Sequence, residues 1–382
     1  MRTRIINGTI YTKECKLLPG EVWVEDDKIV RVLTEGDCAP SHPAEDFADA
    51  SIVDANGCYV LPGLVDVHSH GAVGHDFCDE DVEGLKAILA YEKSVGVTSY
   101  CPTSMTFPEE KLARVFAQIP KVQEHSDSRY ARVLGINMEG PFISPAKVGA
   151  QNPDYVMKAD AAMFRRLNEV SGHAISLVTL APEENGNMDF IRQLKDEVHI
   201  SIGHTAADYP KADEAFSLGA DHVTHLFNAM PAFAHRDPGV VGAATDHPHV
   251  FAEVICDLIH IHPSMIRSIF RFLGEERMVL ISDSMEATGM EDGAYQLGGQ
   301  KVNKKGPYAR LSDGTIAGSV TCLYDGFKNA VKVGIPLESA IRLVTMNPAK
   351  SIGMEDQVGI IKEGNYADLL LVDQELNLIR VL

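Results

Sequence analysis

The chain reads as an α/β protein: a (β/α)8 TIM-like barrel with an additional β layer formed from both ends of the chain. Three observations predict this. Short apolar runs alternate with stretches of helical spacing through the middle of the sequence, the pattern of βα units and a parallel sheet. Eight such runs can be counted, the number that a closed barrel requires. The two termini differ, being short β-branched runs broken by turn residues.

From the N-terminus, RIINGTIYT, EVWVEDDKIVRVL and SIVDANGCYVLPG read as strands, the second a hairpin turned at Asp26-Asp27. The polar, Pro-containing segment EGDCAPSHPAEDFADA between the last two reads as a loop. Barrel strands follow at LVDVHSH (64–70), VTSYCPTS (97–104), VLGINMEG (133–140), ISLVTLAP (175–182), HISIGHT (199–205), HVTHLFN (222–228), FAEVICDLIH (251–260) and MVLISDS (278–284). Helical spacing lies between most of them, for example in VEGLKAILAYEKSV, PEEKLARVFAQI and YPKADEAFSLG. The tail VGIIKEGNYADLLLVDQELNLIRVL reads as strands on both sides of a turn at Gly364-Asn365. Residues 1–60 and 351–382 are therefore expected to form the β layer, and 61–350 the barrel.

Composition narrows the function classes. At 382 residues and 45% hydrophobic, the chain can bury one large core or two modest ones. A formal net charge of -20 argues against nucleic-acid binding and gives no general attraction for anions, so an anionic substrate must be held by a local cluster of donors. Seven cysteines without a C-x-x-C pair suit reduced thiols in a cytosol, with structural roles. No apolar run approaches the ~18 residues of a membrane span, and a cytoplasmic protein without membrane contact is expected.

The chemistry is concentrated at predicted strand ends: His68 and His70 on the first, Glu139 on the third, His204 on the fifth, His225 on the sixth and Asp283 on the eighth. In a barrel these carboxyl ends open onto one face. Residues two apart on a strand point the same way, so His68 and His70 can reach a common point. Imidazoles and carboxylates that converge in this way suit a divalent metal. Each residue has a plainer reading: a lone strand-end His is more often simply hydrogen-bonded, Glu139 could be a paired buried acid, and Asp283 could cap a helix. Six together are poorly explained by coincidence. His42, His75, His125, His173, His247, His249 and His262 fall in loops or helix starts and are expected to be structural or exposed, while His222 is expected to face the opposite end or the helical layer. A bound divalent ion acidifies water and polarises a carbonyl, which points to hydrolysis. Asp283, in LISDSMEATG, is the candidate general base and then general acid.

PGLVDVHSHG, the single Glu on the third strand, the later His, His and Asp, and the closing GxIxxGxxADLLLVD resemble the amidohydrolase superfamily. More narrowly, NMEGPFISPAKVGAQ, SIGHTAAD, THLFNAMPAFAHRDPG, CDLIH, ISDSMEATGMEDGAYQLGG and GTIAGS resemble the N-acetylglucosamine-6-phosphate deacetylases, over nearly the whole chain. The resemblance implies a metal-dependent barrel with a small β-sandwich domain made from both chain termini, usually a homodimer. It also implies removal of acetate from N-acetyl-D-glucosamine 6-phosphate to give D-glucosamine 6-phosphate. Carried over, Glu139, His204 and His225 hold the family's common metal, and Asp283 is the catalytic acid/base. Some members lack the HxH pair and bind one ion. This chain keeps it, which implies capacity for a second ion held by His68, His70 and Glu139, with Asp283 available as a further ligand.

The resemblance also assigns the substrate's contacts. Arg236 and His260 meet the sugar phosphate, Arg because its planar fork suits phosphate, and the loop bearing Arg236 reaches towards the neighbouring subunit's site. Asn228 and Ala229 face the sugar, Ile316, Ala317 and Gly318 lie beside it, and Ala150 and Gln151 border it. Several relatives carry His at the position of Gln151, so a different contact geometry is expected there. Zinc, iron, manganese and cobalt all fit the donor set. Three other readings stand beside this one. A dihydroorotase-like enzyme would need a carboxylated Lys on the fourth strand, where ISLVTLAPEE has none. A deacetylase for N-acetylgalactosamine 6-phosphate differs by one epimeric hydroxyl that the motifs do not decide. A non-catalytic scaffold of the same fold would be expected to have lost ligands that this chain retains.

Overall fold

The computed structural model describes residues 1–34, 47–123 and 127–382. Most of the loop expected at 35–50, with Cys38, His42 and His125, lies outside the described residues. Eight strands form the barrel: β1 (Leu64–Ser69), β2 (Val97–Ser104), β3 (Ile136–Glu139), β4 (Ile175–Leu180), β5 (His199–Ile202), β6 (His222–Val223), β7 (Phe251–Ile255) and β8 (Met278–Ile281). Each pairs in parallel with the next in chain order. The ring is completed past the strand ends, where Asp283 N–H donates to the His68 carbonyl at 2.9 Å and His70 N–H to the Ser284 carbonyl at 2.8 Å. A helix follows every strand: α1 (Val82–Ser94), α2 (Glu109–Phe116), α3 (Ala161–Val170), α4 (Asn187–Leu194), α5 (Tyr209–Leu218), α6 (Gly239–Asp246), α7 (Pro263–Leu273) and α8 (Leu323–Lys332).

Local sequence explains why these elements form. The α1 helix starts where the Asp81 side chain accepts from Glu83 N–H, and its Leu85, Ile88 and Leu89 are buried, the i, i+3, i+4 stripe of a helix lying on a sheet. Fully burying such a side chain contributes about 1.5–3 kcal/mol. On β1 every residue is buried, but the two faces differ in content. Val65 and Val67 join an apolar cluster with Ile255, Val279, Ile281 and Ala349. The alternate positions carry Asp66, His68 and His70, so the strand's two-residue period places its polar set on the other face, inside the barrel.

The chain ends form one seven-stranded sheet, with Arg2–Tyr11 central between Leu17–Glu25 on one side and Ser51–Asp54 and Tyr59–Pro62 on the other. Leu369–Val372 and Leu378–Val381 extend it beyond Tyr59–Pro62. Both ends also share an apolar cluster of its own, including Ile5, Ile10, Val22, Val60, Ile361 and Leu369. Glu25 pairs with Lys28 across the expected Asp26-Asp27 turn, and Asp26 takes a φ of 56°, which a short polar side chain tolerates.

Two expectations are corrected, and one further sheet is found. VGII before Gly364 forms no strand; its Ile361 packs into the sheet's apolar cluster, and the turn that follows meets the sheet where Ile29 N–H donates to the Asn365 carbonyl at 2.9 Å. The fifth to eighth barrel strands stop at Ile202, Val223, Ile255 and Ile281, so His204, His225, His260 and Asp283 lie in the turns beyond them. An antiparallel sheet of Gly293–Leu297, Gln300–Lys305 and Tyr308–Arg310 follows β8; its Gly298-Gly299 hairpin was a readable signal that the barrel count passed over. Among the described residues no helix is long and apolar enough to cross a membrane.

Candidate active site and metal centre

The carboxyl ends of five strands bring His68, His70, Glu139, His204, His225 and Asp283 together, all of them buried. Glu139 Oε1 stands 3.1 Å from His204 Nε2, 3.0 Å from His225 Nε2 and 3.5 Å from His68 Nε2. Its Oε2 is 3.4 Å from His70 Nε2. Asp283 Oδ1 is 3.3 Å from His70 Nε2 and 3.6 Å from His68 Nε2. The ligand-type atoms fall into two sets, Glu139 with His204 and His225, and His68 with His70 and Asp283, each within 4.8 Å. Asp283 joins the second set in this grouping, and Glu139 stands as close to both of its imidazoles.

Turn geometry aims these side chains. His204, His225 and Asp283 take φ values of 44°, 27° and 48°, in a left-handed region that non-glycine residues seldom occupy and that clusters at functional sites. Two glycines allow close approach. A Cβ on Gly149, where φ is 56°, would meet His204 Cε1 at 3.4 Å, and one on Gly318, where φ is 63°, would meet the Asp283 carbonyl oxygen at 3.1 Å.

The donors fit a divalent ion. His204 Nδ1 donates to the Lys147 carbonyl at 2.9 Å and His70 Nδ1 to the Thr103 carbonyl at 3.1 Å, while His68 Nδ1 lies 2.8 Å from Glu253 Oε2. In the neutral rings of His204, His70 and His68, oxygens that only accept fix the proton on Nδ1 and leave the Nε2 lone pair facing the centre. His204 and His225 then hold their Nε2 atoms 3.1 Å apart, and His68 Nε2 is buried with no hydrogen-bond partner among the described residues. Ligands at about 2.1 Å from a tetrahedral ion stand about 3.4 Å apart, close to the spacings observed.

Electrostatics point the same way. Burial would push Glu139 up, yet His68 and His204, with hydrogen bonds from His204 and His225, hold it well below the usual carboxylate range. Asp283 is lowered too: burial opposes this, but the His70 hydrogen bond and the charges of His68, His70 and His225 prevail. Burial would lower His68, but Glu253, Glu139 and Asp283 raise it to about 10. A field that holds a proton so firmly also favours a metal cation.

A cavity of about 170 Å³ opens over the cluster, lined by His70, Glu139, His204, His225 and Asp283 together with Ala150, Gln151, Asn228, Ala229, His260, Ile316 and Gly318. Of the sequence-read substrate residues, Ala317 is buried but outside the lining, and Arg236 is exposed, with Nη1 2.9 Å from His235 Nε2. His260 reaches the cavity from the turn after β7, its Nδ1 2.7 Å from Asp257 Oδ2. Met105, Gly149, Leu297 and Thr315 also line it, and no sequence reading anticipated them. Leu297 belongs to the unforeseen three-stranded sheet, whose Gln300 Nε2 donates to the carbonyls of Ala150 at 2.6 Å and Gln151 at 3.2 Å. Glu253 was missed as well, since a lone acid in the apolar run FAEVIC carries no motif. His222, expected to face away, is fully buried with Nε2 3.7 Å from Glu253 Oε1.

A parallel eight-stranded barrel with imidazoles and carboxylates gathered at its carboxyl face defines a metal-binding barrel hydrolase. The sequence model of the amidohydrolase family matches residues 59–381, and the chain belongs to that family. It is 36% identical over 374 residues to an N-acetylglucosamine-6-phosphate deacetylase of Bacillus subtilis, covering 97% of this chain and 93% of the relative. An N-acetylgalactosamine-6-phosphate deacetylase of Escherichia coli is 32% identical over 95% of this chain and 94% of its own. The crystal structure of N-acetylglucosamine-6-phosphate deacetylase from Pasteurella multocida superposes with a TM-score of 0.91 at 27% identity, covering 100% of this chain and 98% of that one.

Proposed function

We propose that this chain is a metal-dependent amide hydrolase that removes the N-acetyl group of N-acetyl-D-glucosamine 6-phosphate, giving D-glucosamine 6-phosphate and acetate. The observation that carries the reading is the gathering of four imidazoles and two carboxylates at one cavity, in a chain similar over nearly its whole length to deacetylases of this sugar phosphate. Glu139, His204 and His225 are the residues for one ion, and His68, His70 and Asp283, beside Glu139, for a second; zinc, iron, manganese and cobalt all suit them. A divalent ion held there supplies water acidified towards a pKa of about 7 and polarisation of the amide carbonyl.

The chain's own residues do the remaining work. Asp283, kept ionised by the imidazoles around it, accepts the proton of the attacking water and returns it to the leaving nitrogen of the sugar. Asn228 and Ala229 face the sugar, while Ala150, Gln151, Ile316 and Gly318 shape its walls and exclude water. His260, anchored by Asp257, meets the phosphate.

That dianion also needs a permanent cation, yet among the described residues no Lys or Arg lines the cavity. In this reading the protein is a homodimer, and Arg236 from one subunit completes the phosphate site of the other. Exposure of Arg236 supports this, as does the exposed aromatic pair of Phe233, three residues earlier, and Phe272, with ring centroids 6.1 Å apart. Residues 1–60 and 351–382 act as one appended β domain around a barrel of 61–350. Free thiols at Cys15, Cys58, Cys78, Cys101, Cys256 and Cys322 support a cytoplasmic setting.

Acetate release by the purified protein tests the reading, with metal content measured on the same sample. The substrates compared are N-acetylglucosamine 6-phosphate, its galacto epimer and unphosphorylated N-acetylglucosamine. Preference for the first, abolished by chelation, is expected. Preference for the epimer would keep the chemistry and change the substrate; no turnover by metal-loaded protein would return the chain to the scaffold reading.

A further inference from the structure

We propose that Glu253 is a positioning residue that gives the His68 side of the site its affinity for a second divalent ion. The inference rests on the two-ion reading above. Glu253 lies within β7, a strand that contributes no ligand to either set, and is fully buried. Its Oε2 accepts from His68 Nδ1–H at 2.8 Å and from His225 backbone N–H at 3.0 Å. Its own carbonyl accepts from Leu226 N–H at 2.8 Å. One residue thus ties β1, the turn after β6 and β7 together, through the imidazole of His68 and the backbone of His225.

Its charge is the second argument. Oε1 has no hydrogen-bond partner among the described residues and stands 3.7 Å from His222 Nε2. The ion-pair partners of Glu253 among those residues are His68 and His222, and an ion bound at His68 Nε2 would take the place of any proton there. A carboxylate buried in this way is costly unless positive charge accumulates nearby. The backbone carbonyls behind His70 and His204 orient those rings without adding charge; Glu253 orients His68 and adds one. One divalent ion would balance Glu139 and Asp283 alone, so a third carboxylate offsets part of the charge of a second ion. A carboxylate holding Nδ1–H also makes Nε2 a stronger ligand, and His68 Nε2 is the buried imidazole nitrogen of the cluster that faces the centre without a hydrogen-bond partner.

The test is titration of cobalt(II) into metal-free protein against a competing chelator, for wild type and Glu253→Gln, with metal content per subunit and both affinities read out. Wild type is expected to bind two ions. In Glu253→Gln the tighter site should stay within about threefold while the weaker one loses about 10–100-fold in affinity. An unchanged second affinity, or an equal loss at both sites, overturns the proposal. A wild type that binds one ion overturns the two-ion reading and the proposal together. If Glu253→Gln does not fold by circular dichroism, Glu253→Asp keeps the charge and shortens the reach; a selective but smaller loss at the second site is then expected, and no loss overturns the proposal.

Discussion

Gln151 Nε2 donates to Glu139 Oε2 at 2.6 Å while Gln151 Oε1 accepts from Thr106 N–H at 2.7 Å. The backbone donor fixes which end of the amide faces the carboxylate. Glu139 is thereby held with Oε1 towards His204 and His225, so Gln151 orients the carboxylate proposed to hold the metal. Gln151→Leu should cost about 1–3 kcal/mol of stability through the unpaired Thr106 N–H, read as a lower urea midpoint. It should also cut kcat/KM at least about tenfold, since the carboxylate loses its fixed orientation. Full activity in that variant would leave Gln151 as a wall of the cavity and nothing more.

Asp283→Asn keeps the shape of the side chain and removes its basicity. Acetate release should fall by about 10²–10⁴-fold, with substrate binding largely retained. Because Asp283 Oδ1 also stands 3.3 Å from His70 Nε2, the ion on the His68 and His70 side should bind more weakly, whereas the one at Glu139, His204 and His225 should not. Near-full turnover would remove Asp283 from the proton-transfer role.

Arg236→Ala should raise KM for the phosphorylated sugar by about tenfold or more and leave unphosphorylated N-acetylglucosamine almost unaffected, since a charge-assisted bidentate contact is lost only with phosphate. Mixed dimers of Arg236→Ala and Asp283→Asn subunits provide the sharper measurement. If Arg236 serves the neighbour's site, the one site with an intact Asp283 receives the intact Arg236, and KM stays near wild type. If Arg236 serves its own subunit, KM rises.

A pH effect on stability should arise away from the active site. His199 Nδ1 lies 2.6 Å from Asp221 Oδ2; burial would lower the imidazole, but the hydrogen bond and charge of Asp221, with Glu355 nearby, raise it. A folded pKa above the unfolded one means that the pair's stabilisation is complete below the usual imidazole value of about 6.5 and fades as pH rises through the raised value. Urea midpoints should therefore fall as pH rises above the usual imidazole value of about 6.5, more steeply in wild type than in His199→Gln. Parallel curves would assign the pair no role in the pH dependence.

The residues themselves show why some of the architecture was readable. His68 and His70 could be paired from sequence because a strand repeats every two residues, and Val65 and Val67 mark the opposite face. The run VTSYCPTS corresponds to β2 from Val97 to Ser104, since its β-branched and aromatic residues, Val97, Thr98, Tyr100 and Thr103, favour an extended chain. Phe251–Ile255 was read too long because DLIH continues the apolar pattern after the ladder has ended. Hydrogen bonding, which periodicity does not report, ended the strand there.

Local periodicity and the chemical character of single side chains by themselves determined the barrel, the β layer from both termini, and the ligand-type residues at the strand ends. These signals act over a few residues, within reach of a linear reading. Closure of the barrel decided the rest. It set Glu253 behind His68, which is 185 residues away in the chain, grouped Asp283 with His68 and His70, and brought Leu297 and Gln300 over the cavity. Such contacts depend on how distant elements pack, and a buried carboxylate acquires its meaning only from the charges that packing places around it.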